Sequence, residues 1–385
     1  YLLYKANLKF IMKKILFLTP YLPSNRAGGE NFTRLLLEEL SKTCQIDLIY
    51  FKYRTDPFYI VPNSNIKVLK VMKNSSFIKL KNFILYPILH PIFSIRFDWY
   101  LLRYIKSLTT VNQYDFLYLD HSQMFIYGMY VSSLKKILMS HDVMYQRFLR
   151  MRNPLNLMAV RYSEKRTLSV DKSVVFTFSK KDSDIIRKIY GKPSLVTNFF
   201  LDRNVINAIP YKIENQIVFF GKWNRKDNLD GLIWFFENVY SKITRKLNIL
   251  IIGMGLPDSI NLSITKNHNV TYLGYTNNPY PIIANSILLV SPLFSGAGVK
   301  VKVVEALACG TPVLGTEMSF EGIDSCFKKF MLDAENAADF VKTINRLVIP
   351  LSERQKFKDE FLREYHNQSI LTQSSMNCFI GCLHI

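Results

Sequence analysis

Short apolar runs alternate with longer amphipathic stretches along almost the whole chain. The apolar runs predict strands at 14–19, 46–51, 66–71, 115–119, 136–140 and 174–178, and a second series at 217–220, 247–252, 270–273, 287–290, 312–314 and 330–332. The stretches between them predict helices near 30–42, 77–108, 151–169 and 181–190, then near 229–240, 281–285, 299–309 and 334–347. Continuous apolar strands separated by helices are typical of parallel sheets covered on both faces. The pattern therefore predicts an α/β fold.

Two such series, joined near 198–215, predict two doubly wound domains with a cleft between them. We place an N-terminal domain at 12–200, a C-terminal domain at 215–366, and a tail whose packing the pattern does not predict at 367–385. Residues 1–11 precede Met12, where the first strand naturally starts, so we treat them as an extension outside the fold. Ligands of such sheets bind beyond the carboxyl ends of the strands, and we expect both sets of ends to face the cleft.

The composition is that of a globular protein, because 49% of the 385 residues are hydrophobic. The longest apolar stretch, 83–95, is interrupted by two prolines and a histidine and is too short to span a bilayer. Five scattered cysteines, an odd number, favour a reducing, cytoplasmic location over a disulfide framework. The pair Cys378 and Cys382 has no further ligands in a zinc-binding spacing.

The charge is unevenly distributed. The net charge is +20, and residues 1–200 hold 31 Lys and Arg against 13 Asp and Glu, whereas the remaining residues hold 19 against 17. A basic half beside a nearly neutral half indicates an acidic partner, either nucleic acid or an anionic membrane. No recognition motif of the known nucleic-acid-binding classes is present, so the membrane is the better candidate.

The segment 291–316 carries the clearest candidate site. A glycine loop that includes Gly298 follows an apolar strand and opens the helix predicted from Val299. Free N–H groups and the dipole at a helix start favour an anion such as phosphate, and Lys300 and Lys302 add positive charge. Glu305 lies two turns further on, where a carboxylate could hold the hydroxyls of a ribose. The alternative is a turn that only packs the helix on its sheet.

Four further groups stand at predicted strand ends. Gly28 and Gly29 follow the first strand, His141 follows a later one, a basic loop with Lys222 and Arg225 opens the second domain, and Gly253 marks another tight turn. The histidine could serve as a base or bind a sugar hydroxyl, and we do not expect it to pair with Asp142, which points away in an extended segment. The glycines could equally be structural turns and the basic loop a solvated one. Asp182 reads as part of a helix cap after Ser179 and not as a metal ligand.

These motifs together resemble the GT-B glycosyltransferases, and within them the large retaining family 4, or glycosyl transferases group 1. The resemblance rests on the glycine loop with its glutamate, FFGKWNRKDNLDGLIWF, LNILIIGMG, VTYLGYTNN and SHD, in that order over about 12–366. It implies a metal-independent transferase whose C-terminal domain holds a nucleotide-sugar donor and whose N-terminal domain holds the acceptor.

Roles can be carried over residue by residue on the same resemblance. Glu305 looks like the glutamate that binds the donor ribose, and Lys222 stands where the family usually has an arginine for the diphosphate. Gly298 and Val299 resemble the backbone donors to phosphate, and Gly28 and Gly29 the loop under donor and acceptor. His141 resembles the histidine that contacts the transferred sugar, and Tyr275 borders the base.

The sequence also departs from the family pattern. The family's first glutamate would stand at Ala297, which puts the identity of the donor sugar in doubt. The usual second cation of the diphosphate site falls at Asp227 or Asn228, and Lys300 or Lys302, with Arg225 or Lys226, are its candidate replacements. The hinge segment 197–202 lacks the usual glycine.

The resemblance predicts sugar transfer with retention, without a metal or other cofactor. The basic, aromatic segment 77–106 and the charge of the N-terminal half indicate a lipid-linked glycan acceptor at an anionic membrane surface. We therefore expect a peripheral enzyme of polysaccharide assembly on the cytoplasmic face of the inner membrane. The alternative is a GT-B-like sensor of nucleotide sugars, or a membrane scaffold, without catalysis.

Overall fold

The computed structural model describes residues 12–74, 77, 80, 81, 89–151 and 153–367. It contains two open sheets. The predicted tail beyond residue 367 and the extension 1–11 lie outside the described residues.

The first sheet has seven strands in the order β3-β2-β1-β4-β5-β6-β7. They are β1 (Lys13–Thr19), β2 (Cys44–Lys52), β3 (Ile66–Lys73), β4 (Phe116–Asp120), β5 (Lys135–Ser140), β6 (Ser173–Thr177) and β7 (Ser194–Val196). The central strand β1 pairs in parallel with β2 and β4, so that Ile15 lies opposite both Ile46 and Phe116. The helices of this part are α1 (Gly28–Leu40), α2 (Pro91–Ser94), α3 (Trp99–Val111), α4 (Phe125–Gly128), α5 (Met144–Arg150), α6 (Pro154–Leu168) and α7 (Lys180–Tyr190).

The second sheet has six strands in the order β10-β9-β8-β11-β12-β13, paired in parallel. They are β8 (Glu214–Phe220), β9 (Asn248–Ile252), β10 (Val270–Gly274), β11 (Ser286–Ser291), β12 (Val313–Gly315) and β13 (Met331–Asp333). The helices of this part are α8 (Arg203–Asn207), α9 (Lys226–Asn238), α10 (Asp258–Ile264), α11 (Tyr280–Asn285), α12 (Val301–Ala308), α13 (Ala337–Arg346) and α14 (Leu351–Asn367). Two apolar clusters, one containing α12 and α14 and the other α9 and α13, cover this sheet. The prediction of two doubly wound parallel sheets is therefore confirmed.

The chain divides into two compact units. Of the described residues, unit 1 comprises those within 1–141, 153–176 and 192–194, and unit 2 comprises those within 142–152, 177–191 and 195–385. Two segments that the sequence assigns to the N-terminal domain, around α5 and α7, thus group with unit 2.

Two helix predictions are wrong in detail. Within the described residues, the helix expected over 77–108 is divided into α2 and α3, because Pro91 begins one helix and Asp98 caps the next through its bond from the Leu101 N–H. The helix expected from Val299 begins at Val301. None of the helices in the described ranges is long and apolar enough to cross a membrane.

Candidate functional site

Most of the predicted donor residues lie at one edge of the second sheet. Lys222 and Arg225 follow β8, Gly253 follows β9, Tyr275 follows β10, and the glycine loop follows β11. These four strands are neighbours and parallel, so their carboxyl ends meet at the same edge. The sheet topology therefore brings together groups that the sequence places up to about 80 residues apart, as the strand-end rule requires.

The turn after β9 packs directly on the turn after β8. Gly253 has a φ of +118°, and a Cβ there would lie 1.8 Å from the carbonyl oxygen of Gly221. Only glycine permits this conformation and this approach. The packing of the two turns is thus sufficient reason for Gly253, and its binding role stays a prediction.

The glycine loop delays the start of α12. Gly298 has a φ of +70° and Lys300 is extended, which keeps both out of the helix. The Lys300 ammonium is held within the loop, because it donates to the carbonyl oxygens of Gly298 at 2.6 Å and Ala297 at 3.3 Å. The lysine thus fixes the loop, and Gly298 and Val299 lie in the loop before the helix.

Lys302 reaches across to the first turn of α9. Its Nζ donates to Asn228 Oδ1 at 2.9 Å, and the Asn228 amide donates to the Lys222 carbonyl oxygen at 3.0 Å. Burial lowers the pKa of Lys302 to about 7, so a nearby anion would favour its charged form. The Lys302 ammonium group thus lies beside Asn228. Asn228 is one of the two positions that correspond to the second diphosphate-binding cation of the family.

The two predicted cations after β8 differ in their surroundings. The half-buried Lys222 side chain has no ion pair or hydrogen bond with the described residues. Arg225 is exposed and pairs with Asp227 at 3.0 Å. Lys222 is therefore the better placed of the two to meet a ligand phosphate. Tyr275 is 54% exposed, which leaves its ring open to contact.

Glu305 lies in α12 among buried apolar residues and is 7% exposed. Its carboxylate accepts a hydrogen bond from the Tyr280 hydroxyl at 3.0 Å. Burial raises the pKa of Glu305 to about 7 despite this bond. A buried carboxylate with one fixed donor retains capacity to accept further hydrogen bonds, which suits the two hydroxyls of a ribose.

A buried carboxylate that the sequence analysis did not single out lies beside the glycine loop. Glu321 receives hydrogen bonds from both Nη atoms of Arg150, from Lys181 and from Gln146, and the Lys300 ammonium lies 3.7 Å away. These donors lower the pKa of Glu321 to about 2. Arg150 also donates to the Gly296 carbonyl oxygen. Glu321 thus ties α5 and α7 to the glycine loop within unit 2.

In unit 1 the predicted residues Gly29 and His141 lie together. His141 follows β5 and its Nε2 is 2.8 Å from Asp120 Oδ1, at the end of β4. A Cβ on Gly29 would lie 3.3 Å from His141 Nδ1 and 3.0 Å from His121 Cε1. The carboxylate that pairs with His141 Nε2 is that of Asp120 and not that of the adjacent Asp142. Gly28, the first residue of α1, adjoins the same place.

Asp120, His121 and His141 include the residue types that bind transition metals, and their candidate ligand atoms lie within 4.8 Å of one another. The two imidazoles, however, are stacked at 3.4 Å with an angle of 14° between their planes. A metal binds imidazole nitrogen close to the ring plane, and one ion cannot lie in two parallel planes. The arrangement therefore favours a hydrogen-bonded group over a shared metal ion.

The sequence carried a signal for some of the missed residues and none for others. Asp120 and His121 directly follow an apolar strand, so the reasoning applied to His141 could have found them. Glu321 could not be found in this way, because its partners Arg150 and Lys181 are 171 and 140 residues away. The cap at Ser179 is confirmed by the bond from the Asp182 N–H at 3.0 Å.

Comparisons with known proteins agree with this geometry. Residues 214–349 match the family model described as Glycosyl transferases group 1. No curated protein sequence matches the chain. The fold is shared by sucrose-phosphate synthase (tll1590) from Thermosynechococcus elongatus, with a TM-score of 0.69 and 12% identity over 97% of this chain and 98% of that one.

Two further solved structures have the same fold. Alr3699/HepE from Anabaena, in complex with UDP and glucose, has a TM-score of 0.64 and 13% identity over 97% of this chain and 100% of that one. WaaG, a glycosyltransferase involved in lipopolysaccharide biosynthesis, has a TM-score of 0.64 and 13% identity over 94% and 98%. Identities this low establish the fold alone, and the predicted GT-B fold is confirmed.

Proposed function

We propose that this GT-B protein, whose residues 214–349 form a glycosyl transferases group 1 domain, transfers a hexosyl group with retention from a nucleotide diphosphate-sugar to an acceptor. The observation that carries the proposal is the edge of the second sheet, where Lys222, which has no partner among the described residues, the half-buried Lys302 and the buried Glu305 stand on neighbouring elements. Two cations and a carboxylate in this arrangement match a diphosphate joined to a ribose.

The reaction needs stabilisation of the leaving group above all. As the bond between the anomeric carbon and the phosphate oxygen breaks, negative charge grows on the diphosphate, and Lys222, Lys302 and the start of α12 stabilise it. The acceptor hydroxyl attacks the same face of the sugar. Its oxygen bonds the anomeric carbon, and its proton passes to the departing phosphate. No protein nucleophile and no metal take part, and His141 binds the transferred sugar.

Uridine diphosphate is the first nucleotide to test, because the Anabaena relative of this fold is recorded with UDP and glucose. The assay measures release of nucleotide diphosphate from a panel of nucleotide hexoses with membrane lipid extract as acceptor. The anomeric configuration of the product, read by NMR, tests retention. An inverted product would overturn that part of the proposal.

We place the acceptor, a lipid-linked glycan, at the cytoplasmic face of an anionic inner membrane, in assembly of a cell-surface polysaccharide. A surface in unit 1 supports this. On α6, Leu155, Met158 and Tyr162 are 80%, 69% and 52% exposed, and helical spacing puts them on one face with Arg161 and Lys165. An apolar stripe flanked by cations suits an anionic bilayer surface. Within the segment 77–106, the exposed aromatic side chains of Trp99 and Tyr100 also support binding to a membrane surface. Lys79 of that segment lies outside the described residues.

Replacing Leu155 and Met158 together with serine is expected to reduce binding to anionic liposomes at low salt at least about tenfold, since two exposed apolar side chains would no longer be buried in lipid. Cosedimentation with vesicles measures the effect. Leu262→Ser is the control, because that side chain is 66% exposed on α10 of the other unit. If the unaltered protein ignores anionic vesicles at low salt, the membrane proposal fails.

One observation favours the second candidate function, a sensor or scaffold without catalysis. Ala297 replaces the first glutamate of the family, and the neighbouring Lys300 is bonded to carbonyl groups of its own loop. A protein that binds a nucleotide sugar but neither transfers nor hydrolyses it with any acceptor in the panel would support this candidate.

A further inference from the structure

The Asp120 carboxylate is fully buried, and one of its two oxygen atoms already accepts two hydrogen bonds. It is 0% exposed, and its Oδ2 atom accepts hydrogen bonds from the Thr19 hydroxyl at 2.9 Å and the Thr33 hydroxyl at 2.6 Å. Its other oxygen, Oδ1, faces His141 Nε2 at 2.8 Å. Burial raises the pKa of Asp120, but the neighbouring His121 and His141, with the hydrogen bonds from His141 and Thr33, lower it to about 2. The group is therefore an ionised carboxylate that can only accept hydrogen bonds.

The contact with Asp120 determines which nitrogen of His141 carries the proton. Since the carboxylate cannot donate, the hydrogen between Oδ1 and Nε2 belongs to the imidazole. The neutral ring is then the Nε2–H tautomer, and Nδ1 is its basic nitrogen. That nitrogen lies 3.3 Å from the position of a Cβ on Gly29, so it faces the start of α1.

Two aromatic neighbours fix the plane of the same ring. His121 stacks on it at 3.4 Å, and Phe32 meets it edge-on at 5.4 Å and 85°. His121 itself has a φ of +61°, a conformation that is rare outside glycine and clusters at functional sites. Burial and the neighbouring His141 lower the pKa of His121 to about 3, so the stack adds no second charge.

We propose that Asp120 is a positioning residue, which holds His141 as the Nε2–H tautomer with Nδ1 turned toward Gly29. A hydroxyl of the sugar or the acceptor in front of Gly28 and Gly29 then donates to Nδ1. Only this last consequence rests on the proposed function; the tautomer and its cause are properties of unit 1 alone.

Nitrogen NMR of the labelled imidazoles tests the tautomer directly. At alkaline pH the His141 signals, assigned by their loss in His141→Gln, are expected to show a protonated Nε2 and an unprotonated Nδ1. This measurement needs no destabilising change. A His141 ring protonated on Nδ1 in the unaltered protein would overturn the proposal.

Asp120→Asn is expected to reverse the tautomer. The Thr19 hydroxyl donates to the Oδ2 side, so the amide oxygen of asparagine takes that side and its NH₂ group faces Nε2. Nε2 must then accept, and the ring proton moves to Nδ1. In a turnover assay kcat/KM for the donor is expected to fall about tenfold or more, because the hydrogen bond from the bound hydroxyl to Nδ1 is lost.

Asp47→Asn is the matched control. Asp47 is a buried carboxylate on β2 of the same sheet, bonded to the Tyr114 hydroxyl at 2.6 Å and away from both histidines. It is expected to leave the His141 tautomer and kcat/KM unchanged. An unchanged tautomer in Asp120→Asn would overturn the inference. Absence of turnover with every donor would instead count against the proposed function, since the NMR result stands without it.

Discussion

Replacing Glu305 with alanine is expected to lower the affinity for a nucleoside diphosphate about 100-fold or more. The carboxylate would accept hydrogen bonds from two ribose hydroxyls, and each hydrogen bond to a charged group contributes about 1.5–3 kcal/mol. Isothermal titration of unaltered and variant protein measures the loss. Glu237→Ala, an exposed glutamate on α9 of the same unit, is the control and is expected to bind normally.

Glu305→Gln separates binding from folding. Glutamine can still accept the bond from the Tyr280 hydroxyl, and the variant removes a carboxyl whose folded-state pKa is raised to about 7. Between the unfolded pKa of about 4.5 and about 7, the folded protein binds more protons than the unfolded one, so ionisation of Glu305 reduces stability as the pH rises through this window. The variant should therefore keep or gain melting temperature above pH 7 while losing affinity. Near-normal binding and turnover in both variants would contradict the assigned role.

Replacing Glu321 with glutamine is expected to destabilise unit 2 by about 3 kcal/mol. The side chain is 5% exposed, and its pKa is lowered from 4.5 to about 2 by Arg150, Lys181 and Gln146. A shift of this size corresponds to roughly 1.4 kcal/mol per pKa unit, and removing one partner of a buried ion pair costs about 3–5 kcal/mol. The melting temperature of the transition that includes unit 2 should fall by about 6–12 °C.

The stabilisation that Glu321 contributes should decrease as the pH falls. Because the folded-state pKa of Glu321 is depressed, its contribution is present above about pH 4.5 and is lost as the pH falls toward about 2. The difference between variant and unaltered protein should shrink over that range. Asp230→Asn is the control, since Lys226 and Asp230 form an exposed pair and exposed pairs contribute about 0–1 kcal/mol. A Glu321→Gln protein as stable as the control would show that the ion-pair cluster contributes nothing.

Most of the fold could be predicted because parallel strands buried on both faces appear as short continuous apolar runs. All twelve predicted strands are present, with ends that differ from the prediction by at most three residues. The three-residue β7 was missed because Ser194–Val196 is too short to form a run. Helices α4, α5, α8, α10 and α14 were missed as well, since their apolar positions do not stand out from their neighbours in the sequence.

The site was only partly predictable, for a physical reason. Glycines and lysines after apolar strands can be read locally, and strand order then gathers them at one edge. Contacts between distant segments leave no local signal. The bond from Lys302 to Asn228 spans 74 residues, and the pair of Asp120 and His141 joins two strands. The same holds for the start of α12, where the bonds of Lys300 to its own loop keep two predicted helical residues out of the helix.

The measurement that tests the central claim most directly is the thermal stability of the protein with UDP, GDP, CDP, ADP and dTDP, each with and without magnesium. A ligand at 100 times its Kd adds about 2.7 kcal/mol, which raises the melting temperature by about 5–10 °C for domains of this size. We predict such a shift with one nucleotide, unchanged by magnesium and reduced to about 1–2 °C or less in Glu305→Ala. No shift with any of the five would contradict a nucleotide site at Lys222, Lys302 and Glu305.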